Sequence, residues 1–394
     1  MSRKEKPKRK VSHVKYGPDK SILLFVIVMA IFGSIMIYDA SVYKANQVFN
    51  DQFYFLKSQV TWLILGSIPA LILYFIDYRK LLKFSFLGLL TVIALLILVL
   101  IFGDSINGSK RWFEIAGLPP IQPAEFAKLA VVMYFSYWLA KKENKSTKLQ
   151  ESLKKWFTNN FLSFFAIFAV VALLILLEPD LGTTMIIGVT AFGMFFVSGN
   201  DRTHTVGSIG VSLLAIPLVL IAAILEPYRI SRIKTFFNLI LKGEVADPQG
   251  SGYQMQQILI GIGSGGFWGK GFGQSRQRFG YLVENTAFTD SIFAVILEEL
   301  GLWGGTLIVL SWIFFLWRGF KIALRAVDKE GQLLATGITI WLTCQAFFNM
   351  AANVGLVPLT GIPLPFLTYG GSSTIVTLMA FGLLLNVSRY SKNA

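Results

Sequence analysis

The stretch ENTAFTDSIFAVILEELG, residues 284–301, places acids in and before an apolar run. Asp290 stands at the mouth of that run, with Glu298 and Glu299 deeper inside it. At about 100° per residue, Glu298 lies roughly 80° around the helix from Asp290 and about 12 Å further along. Asp290 and Glu298 could therefore border one cavity, while Glu299 faces another helix. An Asp at a helix start fits an N-cap. It equally fits a general base, because a carboxylate within reach of a hydroxyl can take its proton. Glu298 and Glu299 read as contacts between helices. Other acid–base chemistry is scarce. The two histidines, His13 and His204, are far apart, and Cys344 is the single cysteine. That excludes a disulfide within the chain and a thiol metal site, and argues against zinc or haem.

Further ionisable groups fall where spans begin. Glu125, Lys128 and Asp180 sit at or just inside apolar runs, where charge is costly and usually functional. The segment GIGSGGFWGKGFGQS (261–275) holds a formal GxGxxG at Gly261, Gly263 and Gly266. No βαβ pattern surrounds it, so it is not a dinucleotide site. Its glycines permit close backbone approach, to another segment or to a phosphate. Around it lie Arg229, Arg232, Lys234, Lys270, Arg276 and Arg278. This basic loop suggests an anionic ligand at the outer leaflet, a lipid-linked phosphate or pyrophosphate. The plainer reading pairs these cations with Glu244, Asp247 and Glu284.

The elements that must position these groups are membrane helices. The 394 residues are 54% hydrophobic and 15% charged, against about 25% charged in soluble domains. The apolar residues come in runs of roughly 20, the length that crosses a hydrocarbon core. An all-α, polytopic membrane protein follows, with about ten spans. They are expected near 21–42, 53–76, 81–102, 122–140, 157–177, 182–199, 206–226, 290–316, 333–354 and 372–388. The core is then 21–388, with a large extracytoplasmic loop, 227–289, between the seventh and eighth helices. The flanks are a basic tail, 1–20, and a short tail, 389–394. Most of the 36 Lys and Arg fall on the side of the termini, so the positive-inside rule puts both termini in the cytoplasm. The basic start leads into a full apolar span without a small-residue cleavage site, so it does not read as a cleavable signal. The net charge of +14 is this topological signal plus attraction to anionic membrane lipids; nucleic acid is not an expected partner. Four Gly- and Pro-rich segments gather on the outer face: 103–128, 177–184, the loop from Glu226, and 355–373. Non-helical backbone at membrane depth survives only where protein or a water-filled cavity satisfies it, which suggests a cavity open to the outside.

The order of motifs resembles the SEDS family (shape, elongation, division and sporulation), and its FtsW branch more than its RodA branch. The matching segments are NGSKRW (107–112), IQPAEFAK (121–128), EPDLGTT (178–184), EPYRISR (226–232), GSGYQMQQ (250–257), GKGFGQS (269–275), TDSIFAVILEELG (289–301) and PLPFLTYGGSS (363–373). The resemblance implies a peptidoglycan glycosyltransferase of the bacterial cytoplasmic membrane. Such an enzyme polymerises lipid II, an undecaprenyl-pyrophosphate-linked disaccharide-pentapeptide, into β-1,4 glycan strands at the outer leaflet, here in cell division. It maps the catalytic base onto Asp290 and the family's loop Glu onto Glu284. The YLVENTAFTD stretch departs from the family's YLPE pattern at Val283, and is two residues longer before the Asp. Expected phosphate partners are Arg111, Lys128, Arg229 and Arg232. Glu125, Asp180, Gln254, Lys270, Ser275, Tyr369 and Ser372 complete the expected substrate-binding set. No cofactor is certain; a divalent cation, Mg²⁺ or Mn²⁺, is a candidate helper, its ligands unknown. Implied partners are a class B penicillin-binding protein transpeptidase and other divisome proteins. Two other classes compete. A lipid II flippase or transporter would keep its charges near the midplane, and a non-catalytic division scaffold would not need Asp290.

Overall fold

The computed structural model describes residues 17–106, 109–114, 120–143, 162–199, 209, 227–250, 252–277 and 286–391. The helices are α1 (Lys20–Phe49), α2 (Tyr54–Phe75), α3 (Tyr78–Lys83), α4 (Ser85–Phe102), α5 (Pro123–Glu143), α6 (Leu162–Leu177), α7 (Leu181–Ser198), α8 (Pro227–Lys242), α9 (Tyr253–Gly265), α10 (Ile292–Arg325), α11 (Lys329–Asn353) and α12 (Gly371–Tyr390). A two-stranded antiparallel hairpin, β1 (Asp104–Ile106) and β2 (Ser109–Trp112), follows α4. Among the described residues, seven helices are long and apolar enough to cross a membrane. The 16-residue α6 is shorter, and α5 carries Glu125 and Lys128 in its first two turns. The expected span at 206–226 lies outside the described residues, apart from 209.

Burial sorts the helices into a centre and a rim. Most of α11 and α12 is buried, whereas α1, α2 and α4 leave large apolar side chains such as Leu24, Ile64 and Leu87 exposed. In water such a rim would be costly; against lipid tails it is the required surface. Helices α2 and α12 meet through small residues. A Cβ on Gly382 would stand 2.4 Å from the Ala70 carbonyl oxygen, and one on Gly66 would stand 2.9 Å from Ile375 Cα.

Two acidic caps tie the helices at the end that carries the termini. Asp19 caps α1 through the Ser21 and Ile22 amides and accepts Arg318 Nε of α10 at 2.6 Å. Asp328 caps α11 through the Gly331 amide at 2.7 Å and accepts the Tyr78 hydroxyl at 2.9 Å and Arg79 Nε at 2.5 Å. These contacts explain why α10 runs to Arg325, beyond the boundary near 316 read from hydropathy. Its polar extension is a real helix, anchored by Arg318.

The segment before α10 is more than a loop. Helix α9 runs beside α10 in the same direction. Gln254 Nε2 donates to Ser291 Oγ at the start of α10 (3.2 Å), and a Cβ on Gly265 would stand 2.2 Å from the Leu297 carbonyl oxygen. The chain then turns through Gly266–Gly271 and fills a break in α10 at Gly301, whose φ is 67°. The amides of Lys270 and Gly271 donate to the carbonyls of Glu298 and Glu299 (3.0 and 2.9 Å), and the amides of Leu302 and Trp303 to those of Gly266 and Phe267 (3.0 and 3.2 Å). Leu302 is about 15 Å along α10 from Ile292, so the segment is re-entrant. Its glycines serve backbone approach to α10. Gly269 has φ 80°, and a Cβ there would stand 2.0 Å from the Glu299 carbonyl oxygen.

Candidate active site

Asp290 is not the cap of α10. Ser291 holds the cap position, without a side-chain bond to the helix. The Asp290 carboxylate accepts only the Thr289 hydroxyl among its described hydrogen bonds, at 3.0 Å, and is partly exposed. It faces Gly361, where a Cβ would stand 3.9 Å from Oδ2. The N-cap reading is thereby corrected: turns through Thr286 and Thr289 start the helix, the Ser291 amide donating to the Thr286 carbonyl at 2.9 Å. The carboxylate stays free for other partners.

The non-helical segment Val354–Gly370, between α11 and α12, gathers the surrounding groups. Arg232 Nη1 of α8 donates to the Leu359 carbonyl at 2.6 Å. Asn349 donates to the Ile362 carbonyl and Gln345 to that of Pro363, at 2.8 and 3.0 Å. The Tyr369 amide donates to the Phe288 carbonyl at 2.9 Å, and the Tyr369 ring packs edge-on against Phe55 and Phe288. A cavity of about 210 Å³ is lined by Arg232, Phe236, Leu239, Gln254, Met255 and Leu359; Gln254 links it to Ser291, the neighbour of Asp290. The structure thus brings Asp290, Arg232 and Gln254 to one locality.

A second cluster lies where α5 and α7 start and α6 ends. The hairpin delivers Arg111, whose Nε and Nη2 donate to the carbonyls of Glu178 and Pro179, both at 2.7 Å. Asp180 caps α7, accepting the Thr183 amide and hydroxyl at 2.9 Å each, and Gln122 Nε2 at 3.4 Å. Ser372 accepts the Gln122 amide at 3.0 Å. Glu178 is fully buried, and among the described residues neither carboxyl oxygen meets a donor. Burial, then the charge of Asp180, pushes its pKa up to about 8, against a smaller opposing effect of Arg111.

Comparison with known proteins places this arrangement. The FtsW/RodA/SpoVE profile, a family of cell cycle proteins, matches residues 19–393. This chain belongs to that family. The stage V sporulation protein E of Bacillus subtilis is 41% identical over 382 residues, covering 96% of this chain and 99% of the relative. A probable peptidoglycan glycosyltransferase FtsW of Geobacter metallireducens is 37% identical over 376 residues, 95% of each. Among solved structures, a chain of a peptidoglycan synthase complex superposes with TM-score 0.73 at 26% identity, covering 94% of this chain and 98% of that one. Thermus thermophilus RodA superposes with TM-score 0.65 at 25% identity, covering 95% and 98%. The SEDS resemblance and its lean toward FtsW are thereby supported.

For this member of the FtsW/RodA/SpoVE family, several residues expected to touch substrate make internal contacts. Lys128 is buried, donating to Glu125 at 2.8 Å and to Gln345 at 2.9 Å. Its ammonium also lies over Trp341. A phosphate would have to displace a buried ion pair to reach it, so both Glu125 and Lys128 brace α5 against α11. Lys270 and Ser275 donate to Glu298 at 2.7 and 2.6 Å. They hold the re-entrant segment about 12 Å along α10 from Asp290. Glu298 is therefore an anchor and not a cavity wall, while Glu299 accepts the Ser275 amide at 3.0 Å and approaches Asp39 of α1. Asp180 and Ser372 are occupied by the cap and the Gln122 amide. Glu284 and the Arg229 side chain lie outside the described residues. Among the described residues no group of three or more His, Cys, Asp or Glu converges. The one carboxylate placed at the site, Asp290, does not make a protein cage for a divalent cation. Sequence reading missed Gln345, Asn349, Asn353 and Thr368. The signal of the first three was a run of amides inside an apolar span, which lipid tolerates when they are paired; Thr368, a hydroxyl in the segment before α12, left none.

Proposed function

We propose that the chain is a peptidoglycan glycosyltransferase that polymerises lipid II at the outer leaflet, with both termini cytoplasmic. Family membership supports the reaction class. The observation that carries the site is the Asp290 carboxylate, released from capping at the start of α10 and facing Gly361. In this reading Asp290 takes the proton from the acceptor GlcNAc 4-hydroxyl as that oxygen attacks the donor's anomeric carbon. The C–O bond to pyrophosphate breaks as the new glycosidic bond forms, and direct displacement turns the α-linked donor into a β-1,4 linkage. The pyrophosphate leaves with added negative charge, which nearby cations stabilise. Arg232 and Arg229, on the same helix, are the candidates. Arg111 has two of its five donors already used on backbone.

The matched synthase complex supports a second protein as partner, a class B penicillin-binding protein, and a division role is consistent with the FtsW relatives. Purified protein, with and without a cognate transpeptidase, is given lipid II and the products are separated by length. Glycan strands are expected. Lipid II moved across vesicles without polymerisation would support the flippase reading instead.

A further inference from the structure

We propose that Asn349 and Asn353, assisted by Thr368, are positioning residues that aim the Asp290 carboxylate. The inference rests on the reading of Asp290 as the base. The two Asn residues are four apart on α11 and so share one face. Both side-chain amides donate to a single atom, the Asp290 carbonyl oxygen, at 2.8 Å from Asn349 and 2.9 Å from Asn353. Both are buried, at 2% and 1% exposure. A carbonyl has two lone pairs, and here both are taken by side chains of one helix. Asn349 spends its other N–H on the Ile362 carbonyl at 2.8 Å. One side chain therefore ties together the two backbone segments that flank the carboxylate, Asp290 itself and the strand-like stretch after Gly361. Asn353 is fixed in turn through the Asn349 carbonyl at 3.0 Å. One residue earlier, the Thr368 hydroxyl donates to the Thr289 carbonyl at 3.1 Å and accepts the Leu364 amide at 2.8 Å.

The arrangement answers a specific need. Asp290 precedes the helix, so the α10 ladder does not fix its main chain, and its carboxylate has to remain free for the acceptor. Orientation must then come through the backbone. Side chains that grip the carbonyl supply it without occupying the reacting oxygens. A misplacement of about 1 Å in such a group can cost about a hundredfold in rate.

The test uses the full-length protein and lipid II, measuring kcat per folded enzyme and KM together with thermal stability. Asn349→Leu and Asn353→Leu are expected to lower kcat about tenfold or more, with KM changed less than about threefold. Thr368→Val is expected to lower kcat by a smaller factor and Thr368→Ser to restore it; this pair carries the test if the Asn variants do not fold. Wild-type kcat per folded enzyme in the Asn variants, or in Thr368→Val where those do not fold, overturns the proposal. So does a fall in activity that follows only the folded fraction. Asp290→Ala is run alongside. Full activity there removes the base reading itself, whereas inactive Asp290→Ala with active Asn variants removes only the positioning role.

Discussion

Replacing Glu298 by Ala removes the acceptor around which the re-entrant segment is folded. The carboxylate is 1% exposed and receives Lys270 Nζ at 2.7 Å, Ser275 Oγ at 2.6 Å, Ser264 Oγ at 3.2 Å and the Arg276 amide at 3.3 Å. Breaking a buried ion pair by deleting one partner costs about 3–5 kcal/mol. Lys270 keeps 28% of its side chain exposed, so part of its hydration survives and the lower end applies. A local loss of about 3 kcal/mol corresponds to roughly a hundredfold increase in opening. Amide hydrogen exchange at Lys270, Gly271, Ser275 and Arg276 reads it directly, because these amides bond α10 rather than their own segment. Glu298→Ala is expected to speed exchange there about a hundredfold, and Glu298→Gln, which keeps an acceptor, by less. Exchange unchanged within about threefold in Glu298→Ala would refute the view that this carboxylate holds the segment.

Within the same segment, Gly269→Ala is expected to destabilise by about 2–3 kcal/mol, through positive φ and collision with the Glu299 backbone. Gly263→Ala, which meets nothing within 4 Å, should be neutral or stabilising; equal melting temperatures for the two variants would refute the close-approach reading. For Glu178, whose pKa is raised to about 8 by burial, the folded state binds a proton that the unfolded chain releases near pH 4.5. Stability attributable to this group is therefore full below about pH 4.5 and falls as pH rises toward 8, by at most about 1.4 kcal/mol per pH unit. Glu178→Gln should flatten that slope in thermal melts between pH 5 and 8, and an unchanged slope would contradict it.

The membrane architecture was legible because lipid imposes long apolar runs, and most of the expected spans coincide with observed helices. The extension of α10 to Arg325 was not, since hydropathy cannot see a helix that continues into water on the strength of Arg318 and Asp19. Asp290 stood out as an acid at the mouth of a span. Its freedom from capping depended on the turns through Thr286 and Thr289, which a helix template does not contain. Lys128 and Lys270 looked like phosphate ligands because charge sign is readable and pairing is not. Lys128 also bonds Gln345, 217 residues away, beside its near partner Glu125, and the partner of Lys270, Glu298, lies 28 residues away. The Asn349–Asn353 grip on Asp290 was hidden for the same reason, because a side chain that bonds a distant carbonyl leaves no periodic signature. The glycines of 261–275 were read as permitting close approach, and the structure identifies the approaching element as α10.

The account turns on Asp290, and one measurement addresses it most directly: lipid II polymerisation by purified Asp290→Ala and Asp290→Asn proteins, each with the cognate transpeptidase and checked for folding by thermal melt. A general base typically contributes about 10²- to 10⁴-fold, so glycan strands should fall by at least about a hundredfold in both variants while the melts stay near that of the unaltered protein. Strands formed at the unaltered rate by either folded variant would contradict the assignment.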